Sequence, residues 1–213
     1  MTSKLAQLRK EYALQSLDTK DVFPNPVDQF NKWFDEAMQA DLIEVNAMVL
    51  STVSKTKKPS SRIVLLKGIE KDAFIFFTNY ESKKGKDIKN NNYVSLLFFW
   101  AELERQVRID GIVQKLSTKE SSTYFLSRPM GSQIGAWASP QSTIIKNRAF
   151  LEERVQFFEK KFQEEKIKRP PHWGGYSVKP YQIEFWQGRP SRLHDRILYT
   201  KKRTKWIIER LAP

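Results

Sequence analysis

The chain has 213 residues, 40% hydrophobic and 13% aromatic, which is ample material for a core and argues against general disorder. Lys and Arg outnumber Asp and Glu 37 to 24, and the net charge of +13 suits anionic partners: nucleic acid, an acidic membrane surface or phosphorylated small molecules. With no cysteine and two histidines, disulfides, thiolate nucleophiles, Fe–S clusters and thiolate zinc sites are excluded, and other metal sites have few ligands to draw on.

The start, MTSKLAQLRKEYALQ, has no apolar signal region, and the longest apolar run, VSLLFFWA at 94–101, is far shorter than a membrane span. A cytoplasmic chain without membrane contact is expected. FPNPVDQFNKWFDEAMQADL reads as a helix capped by Asn25, with Pro26 in its first turn and an apolar stripe of Phe30, Trp33, Phe34 and Ala37. Five β-rich runs follow: NAMVLSTV, SSRIVLLKGI, AFIFFTN, YVSLLFFW and ERQVRIDGIVQKL. Polar stretches separate them, among them SKTKKPSS and ESKKGKDIKNN, and ESKKGKD within the latter is read as a turn. Consecutive strands with short links predict an antiparallel barrel or sandwich.

Ser117 and Glu120 form a capping box that opens a short helix, which Pro129 closes. A longer helix fits TIIKNRAFLEERVQFFEKKFQEEK, and KRPPHWGGY reads as a loop. Three more strands are expected at YQIEFWQ, RLHDRILYT and TKWIIERL. The whole is one mainly β domain with helices, spanning residues 1–213.

Several groups suit an anion. If RLHDRILYT is a strand, Arg192, His194 and Arg196 share one face at intervals of about 6.6 Å. Burying such a face is costly unless an anion or polar ligand meets it; the same pattern also fits an exposed edge strand with solvated arginines. Tyr124 and Arg128 are one helical turn apart, and Ser132 follows in a Gly-containing turn, so the three could form a phosphate cup or simply decorate a surface helix. Arg62 and Lys67 point to opposite faces of a regular strand, so a shared site requires a bulge or two ligands. Lys83 and Lys84 lack P-loop spacing, and no GxSxG, HExxH or GxGxxG motif occurs. The pairs Glu102/Glu104 and Glu152/Glu153 read as surface charge.

The motifs RIVLLK, LERQV, YFLSRP, SQIGAW, IEFWQG, RLHDR and ERLAP, in this order from about residue 8 to the end, resemble the pyridoxine/pyridoxamine 5′-phosphate oxidase family. The resemblance implies an FMN-binding split β-barrel, antiparallel and homodimeric, with FMN at the dimer interface. It implies oxidation of pyridoxine 5′-phosphate or pyridoxamine 5′-phosphate to pyridoxal 5′-phosphate, with O2 reduced to H2O2, by hydride transfer from substrate C4′ to flavin N5. By the same resemblance Arg62, Lys84, Gln141 and Ser142 hold the FMN phosphate region, with Lys83 assisting. Gln106 meets the isoalloxazine edge, and Lys67, Phe77, Thr78, Trp186 and Arg196 also line the flavin site. Lys67, Tyr124, Arg128 and Ser132 grip the substrate phosphate. Arg192 and His194 act on the substrate ring, and Arg9 and Tyr12 close over it from an N-terminal segment, residues 1–25, that serves as a lid.

Lys83 stands where many relatives carry Arg, Phe77 where some carry Tyr, and EVNAM lacks a Pro often found there. Two other readings compete. One is a split-barrel flavin oxidase acting on another substrate, as in phenazine formation, which the retained SRP, Ser132 and RLHDR oppose. The other is a basic nucleic-acid or pyridoxal-phosphate binding protein without turnover. The resemblance leaves no role for nucleic acid.

Overall fold

The computed structural model describes residues 11–213. Its helices are α1 (Pro26–Gln39), α2 (Lys83–Asn90), α3 (Thr118–Ser127), α4 (Met130–Ala138) and α5 (Arg148–Glu164). Its strands are β1 (Ala47–Val53), β2 (Pro59–Leu65), β3 (Gly68–Glu70), β4 (Ala73–Asn79), β5 (Tyr93–Trp100), β6 (Arg105–Lys115), β7 (Trp173–Gln187), β8 (Asp195–Lys202) and β9 (Lys205–Leu211). They hydrogen-bond in the order β2-β1-β5-β6-β7-β4-β3, and β8 pairs with β7 and β9. This is a mainly antiparallel split barrel with helices, as expected.

Contacts cluster into two compact units. One comprises the described residues up to Val49, with Ser95–Gly111 and Pro180–Pro213; the other comprises Leu50–Val94 and Ile112–Lys179. In the first, α1 starts where Asn25 accepts a hydrogen bond from the Val27 amide at 3.0 Å. The helix buries Phe30, Trp33 and Ala37, while Phe34 is half-buried. Phe30 meets Phe98 at 5.0 Å between ring centres, and Trp33 meets Phe185 at 5.2 Å. Each of these rings contributes roughly 2–3 kcal/mol by leaving water. The core of the second unit is built on Leu50, Phe74, Phe76, Phe125 and Val178, all at 0% exposure.

β7 changes partners along its length. Trp173–Val178 pairs with β4 and Gln182–Gln187 with β8, and Pro180, which cannot donate to a ladder, lies between the two stretches.

Four local expectations change. ESKKGKD opens the helix α2 rather than forming a turn, because the Ser82 hydroxyl caps the Gly85 amide and Ile88 finds a core to enter. Ser132 lies in α4, which starts directly after Pro129, rather than in a turn. KRPPHWGGY becomes strand at Trp173, where Gly175 lets the Phe77 ring lie against it; a Cβ there would come within 2.8 Å of that ring. The strand in RLHDRILYT starts only at Asp195, since Ser191 and Arg192 are both left-handed, with φ of 55° and 62°.

Candidate active site

In the second unit a cavity of about 460 Å³ gathers Lys67, Phe77, Thr78, Lys84, Tyr124, Arg128, Ser132 and Gln141. The ladder breaks between β2 and β3, and Lys67 stands in that break, which resolves its expected opposition to Arg62. Phe77 stacks on Tyr124 at 3.8 Å and 17°, and on Trp173 at 5.5 Å and 13°. The Arg128 guanidinium lies 4.6 Å from the Trp173 ring centre, a cation–π contact that orients it. Arg128 leaves the helix as its C-cap, and Gln133 of α4 donates to its carbonyl at 2.7 Å. Its Nη1 is buried with no hydrogen-bond acceptor among the described residues. An unpaired guanidinium nitrogen is costly, and a phosphate oxygen is the acceptor that would satisfy it. Burial holds this guanidinium below the usual arginine range and pushes the Tyr124 phenol up, so Tyr124 is a neutral O–H donor.

Lys84 Nζ donates to Gln141 Oε1 at 3.1 Å and to Thr78 Oγ1 at 3.2 Å. Burial, and then the charge of Arg62, hold its ammonium below the usual lysine range, a cost that a bound anion reverses. Ser142 is exposed in the next position, with φ of 68°. Arg62 is fixed by Nη1 bonds to the Leu50 carbonyl at 3.0 Å and Thr52 Oγ1 at 2.8 Å, and by Nη2 to Ser60 Oγ at 2.7 Å. Those hydroxyls donate in turn to Asp87 Oδ2 at 2.9 and 3.2 Å, and Lys83 Nζ reaches the same oxygen at 3.0 Å. Burial pushes the Asp87 carboxyl up, but the bonds from Lys83, Thr52 and Ser60 outweigh it and hold the group below the ordinary carboxylate range. Asp87, Thr52 and Ser60 were not anticipated. The Lys83–Asp87 pair is visible only once the stretch is known to be helical.

The first unit holds the second group. Trp186 lies opposite Arg196 in the β7–β8 register. Arg196 Nε and Arg108 Nη2 both donate at 2.7 Å to Glu184, a carboxylate only 3% exposed. Burial raises this carboxyl, yet the two arginines prevail and hold it low. The contacts Arg105–Gln187 and Arg108–Glu184 run in opposite directions along β6 and β7, which sets Gln106 level with Trp186. His194 packs on Trp186 at 4.5 Å, and Tyr12 meets Trp186 at 5.8 Å and His194 at 5.9 Å.

The Arg189 amide donates to His194 Nδ1 at 3.1 Å, so a neutral His194 carries its proton on Nε2. Burial, then the charge of Arg192, hold this imidazole below its usual range. Arg192 is exposed and is not one of a regular strand face; the shared-face argument is replaced by a left-handed turn that presents it separately. Arg9 lies outside the described residues. Glu184 was missed, although alternation in YQIEFWQ sets it on the face of Trp186. Among the described residues no group of three or more His, Cys, Asp or Glu could hold a metal, and no helix is long and apolar enough to cross a membrane.

Comparison with known proteins agrees with this architecture. The structure superposes on the crystal structure of PhzG from Burkholderia lata 383 in complex with tetrahydrophenazine-1-carboxylic acid. The TM-score is 0.88 at 26% identity, covering 94% of this chain and 100% of that one. It also superposes on a pyridoxamine 5′-phosphate oxidase-related, FMN binding protein from Nostoc punctiforme, with a TM-score of 0.70 at 17% identity over 93% and 100% of the two chains. The fold is that of the split-barrel proteins.

The family model described as pyridoxamine 5′-phosphate oxidase matches residues 34–161, and that of the pyridoxine 5′-phosphate oxidase C-terminal dimerisation region matches residues 173–213. The chain is 57% identical to the pyridoxine/pyridoxamine 5′-phosphate oxidase of Paraburkholderia phymatum, over 99% of this chain and 100% of that protein. It belongs to the pyridoxamine 5′-phosphate oxidase family.

Proposed function

We propose that the chain oxidises pyridoxine 5′-phosphate or pyridoxamine 5′-phosphate to pyridoxal 5′-phosphate with FMN as its cofactor. Pyridoxine 5′-phosphate and O2 yield pyridoxal 5′-phosphate and H2O2; the amine consumes one water in addition and releases ammonia. The observation that carries the reading is the buried, unpaired Arg128 Nη1 in a cavity shared with Lys67, Tyr124 and Ser132.

Arg128 and the Tyr124 and Ser132 hydroxyls donate to the substrate phosphate, and Lys67 adds a point charge at the cavity wall. Arg62, Lys84, Gln141 and Ser142 would hold the FMN phosphate region, assisted by Lys83, with Phe77 and Thr78 beside them. Gln106, Trp186 and Arg196 would hold the isoalloxazine. FMN held there would supply the redox chemistry, that of hydride acceptance from substrate C4′ and electron transfer to O2. His194 acts as a neutral Nε2–H donor toward the substrate ring, and Arg192 offsets negative charge there. Trp186 and Tyr12 exclude water around them, and Arg9 is assigned beside Tyr12 by family resemblance alone. Trp186, Arg192, His194 and Arg196 lie within the region matched to a dimerisation region, which supports a homodimer with FMN at its interface.

Pyridoxine 5′-phosphate added anaerobically to the FMN-loaded protein should bleach the flavin spectrum, air should restore it, and unphosphorylated pyridoxine should leave it yellow. Failure to bind FMN refutes the cofactor assignment. Binding without bleaching favours a second reading, another substrate, which the likeness to PhzG motivates. The 57% identity to a pyridoxine/pyridoxamine 5′-phosphate oxidase supports the first.

A further inference from the structure

Glu102 and Glu104 look alike in the sequence, but Glu102 is exposed and Glu104 is only 3% exposed. A buried carboxylate is tolerated when donors surround it. Glu104 Oε2 accepts the amides of Ala13 at 2.9 Å and Leu14 at 3.1 Å. Its backbone is left-handed, with φ of 54°, and its carbonyl accepts the Gly188 amide at 2.7 Å and Gln187 Nε2 at 3.2 Å. The residues after Tyr12 are tied down further along. Arg189 donates to the Gln15 carbonyl at 3.1 Å, Arg210 donates to the Leu17 carbonyl at 2.9 Å, and Asp195 accepts the Leu17 amide at 3.0 Å. Gly188 leaves room for Tyr12 itself: a Cβ there would lie 2.7 Å from Tyr12 Cγ.

We propose that Glu104 is a positioning residue, whose carboxylate caps the Ala13 and Leu14 amides and thereby seats the Tyr12 ring against Trp186 and His194. The proposal rests on the reading of Trp186 and His194 as walls of the substrate site. A structural role alone predicts loss of stability; positioning predicts loss of substrate affinity with the flavin retained.

The test uses the full-length, FMN-loaded protein and three variants: Glu104→Ala, Glu104→Gln and Gly188→Ala. KM and kcat for pyridoxine 5′-phosphate, flavin content and hydrogen exchange over residues 12–17 are measured. Glu104→Ala should raise KM about tenfold while kcat changes less than about twofold, and exchange at Ala13 and Leu14 should accelerate. Glu104→Gln, whose amide oxygen still accepts, should restore most of the affinity. Gly188→Ala should raise KM by displacing Tyr12 with Glu104 intact. Faster exchange with unchanged KM overturns the proposal, as does flavin loss in step with activity. If the wild-type protein neither binds FMN nor oxidises the substrate, the functional reading fails by itself. Exchange at Ala13 and Leu14 then tests the anchor separately, and unchanged exchange in Glu104→Ala overturns it.

Discussion

Arg128 in one unit and the arginines around Glu184 in the other are held in opposite ways. In the Leu50–Val94 and Ile112–Lys179 unit, Arg128 faces a cavity with a buried nitrogen unpaired, and Lys67 is exposed at the wall. In the unit that contains Pro180–Pro213, Arg108 and Arg196 share Glu184, Arg105 pairs with Glu36, and Arg189 and Arg210 share Asp195. Unsatisfied donors cost stability and are ready for an anion; satisfied ones hold shape. Arg128 is therefore ready for an anion, whereas the arginines on Glu184 and Asp195 tie together the strands and segments that carry Trp186 and His194.

That contrast can be broken from the satisfied side first. Glu184→Gln should destabilise the protein by about 3 kcal/mol, the lower part of the range for a broken buried pair, because both guanidinium groups retain water. Urea denaturation measures it, and an unchanged midpoint would mean that the arginines find other partners. Arg128→Met sharpens the other side. It should raise KM for pyridoxine 5′-phosphate about 30-fold without lowering the melting temperature of the unliganded protein, since it removes an unpaired buried donor. A clear drop in melting temperature would show that the Trp173 contact outweighs the orphaned nitrogen.

The smallest effect concerns Asp87, a carboxylate that Lys83 and the hydroxyls bonded to Arg62 meet. Its pKa is lowered in the fold, so its contribution is present above the ordinary carboxylate value of about 4 and is lost as pH falls through the folded value. Melting temperature against pH should therefore decline less steeply at the acid end in Asp87→Asn than in wild type. Parallel curves would place the acid sensitivity elsewhere, with Glu184 the next candidate.

Much of the fold was legible because local rules decide it. Asn25 and Ser117 cap helices by bonds to amides a few residues away, and alternation or apolar runs mark the strands from Ala47 to Lys115. ESKKGKDIKNN misled because its helical face is short: only Gly85, Asp87 and Ile88 of the helix are buried, and Asp87 meets Thr52 and Ser60 only in the fold. RLHDRILYT misled because two consecutive left-handed residues delay the strand, a conformation that composition does not announce.

By itself the sequence determined the ordered motifs, the cationic excess and the absence of cysteine thiols. Tertiary structure alone decided which carboxylates work. Glu102 and Glu104 are two positions apart, yet only Glu104 is buried and bonded to residues distant in sequence, as Glu184 is in β7. Burial and long-range donors arise only when strands far apart in the chain are paired, and they turn an ordinary acidic residue into an anchor.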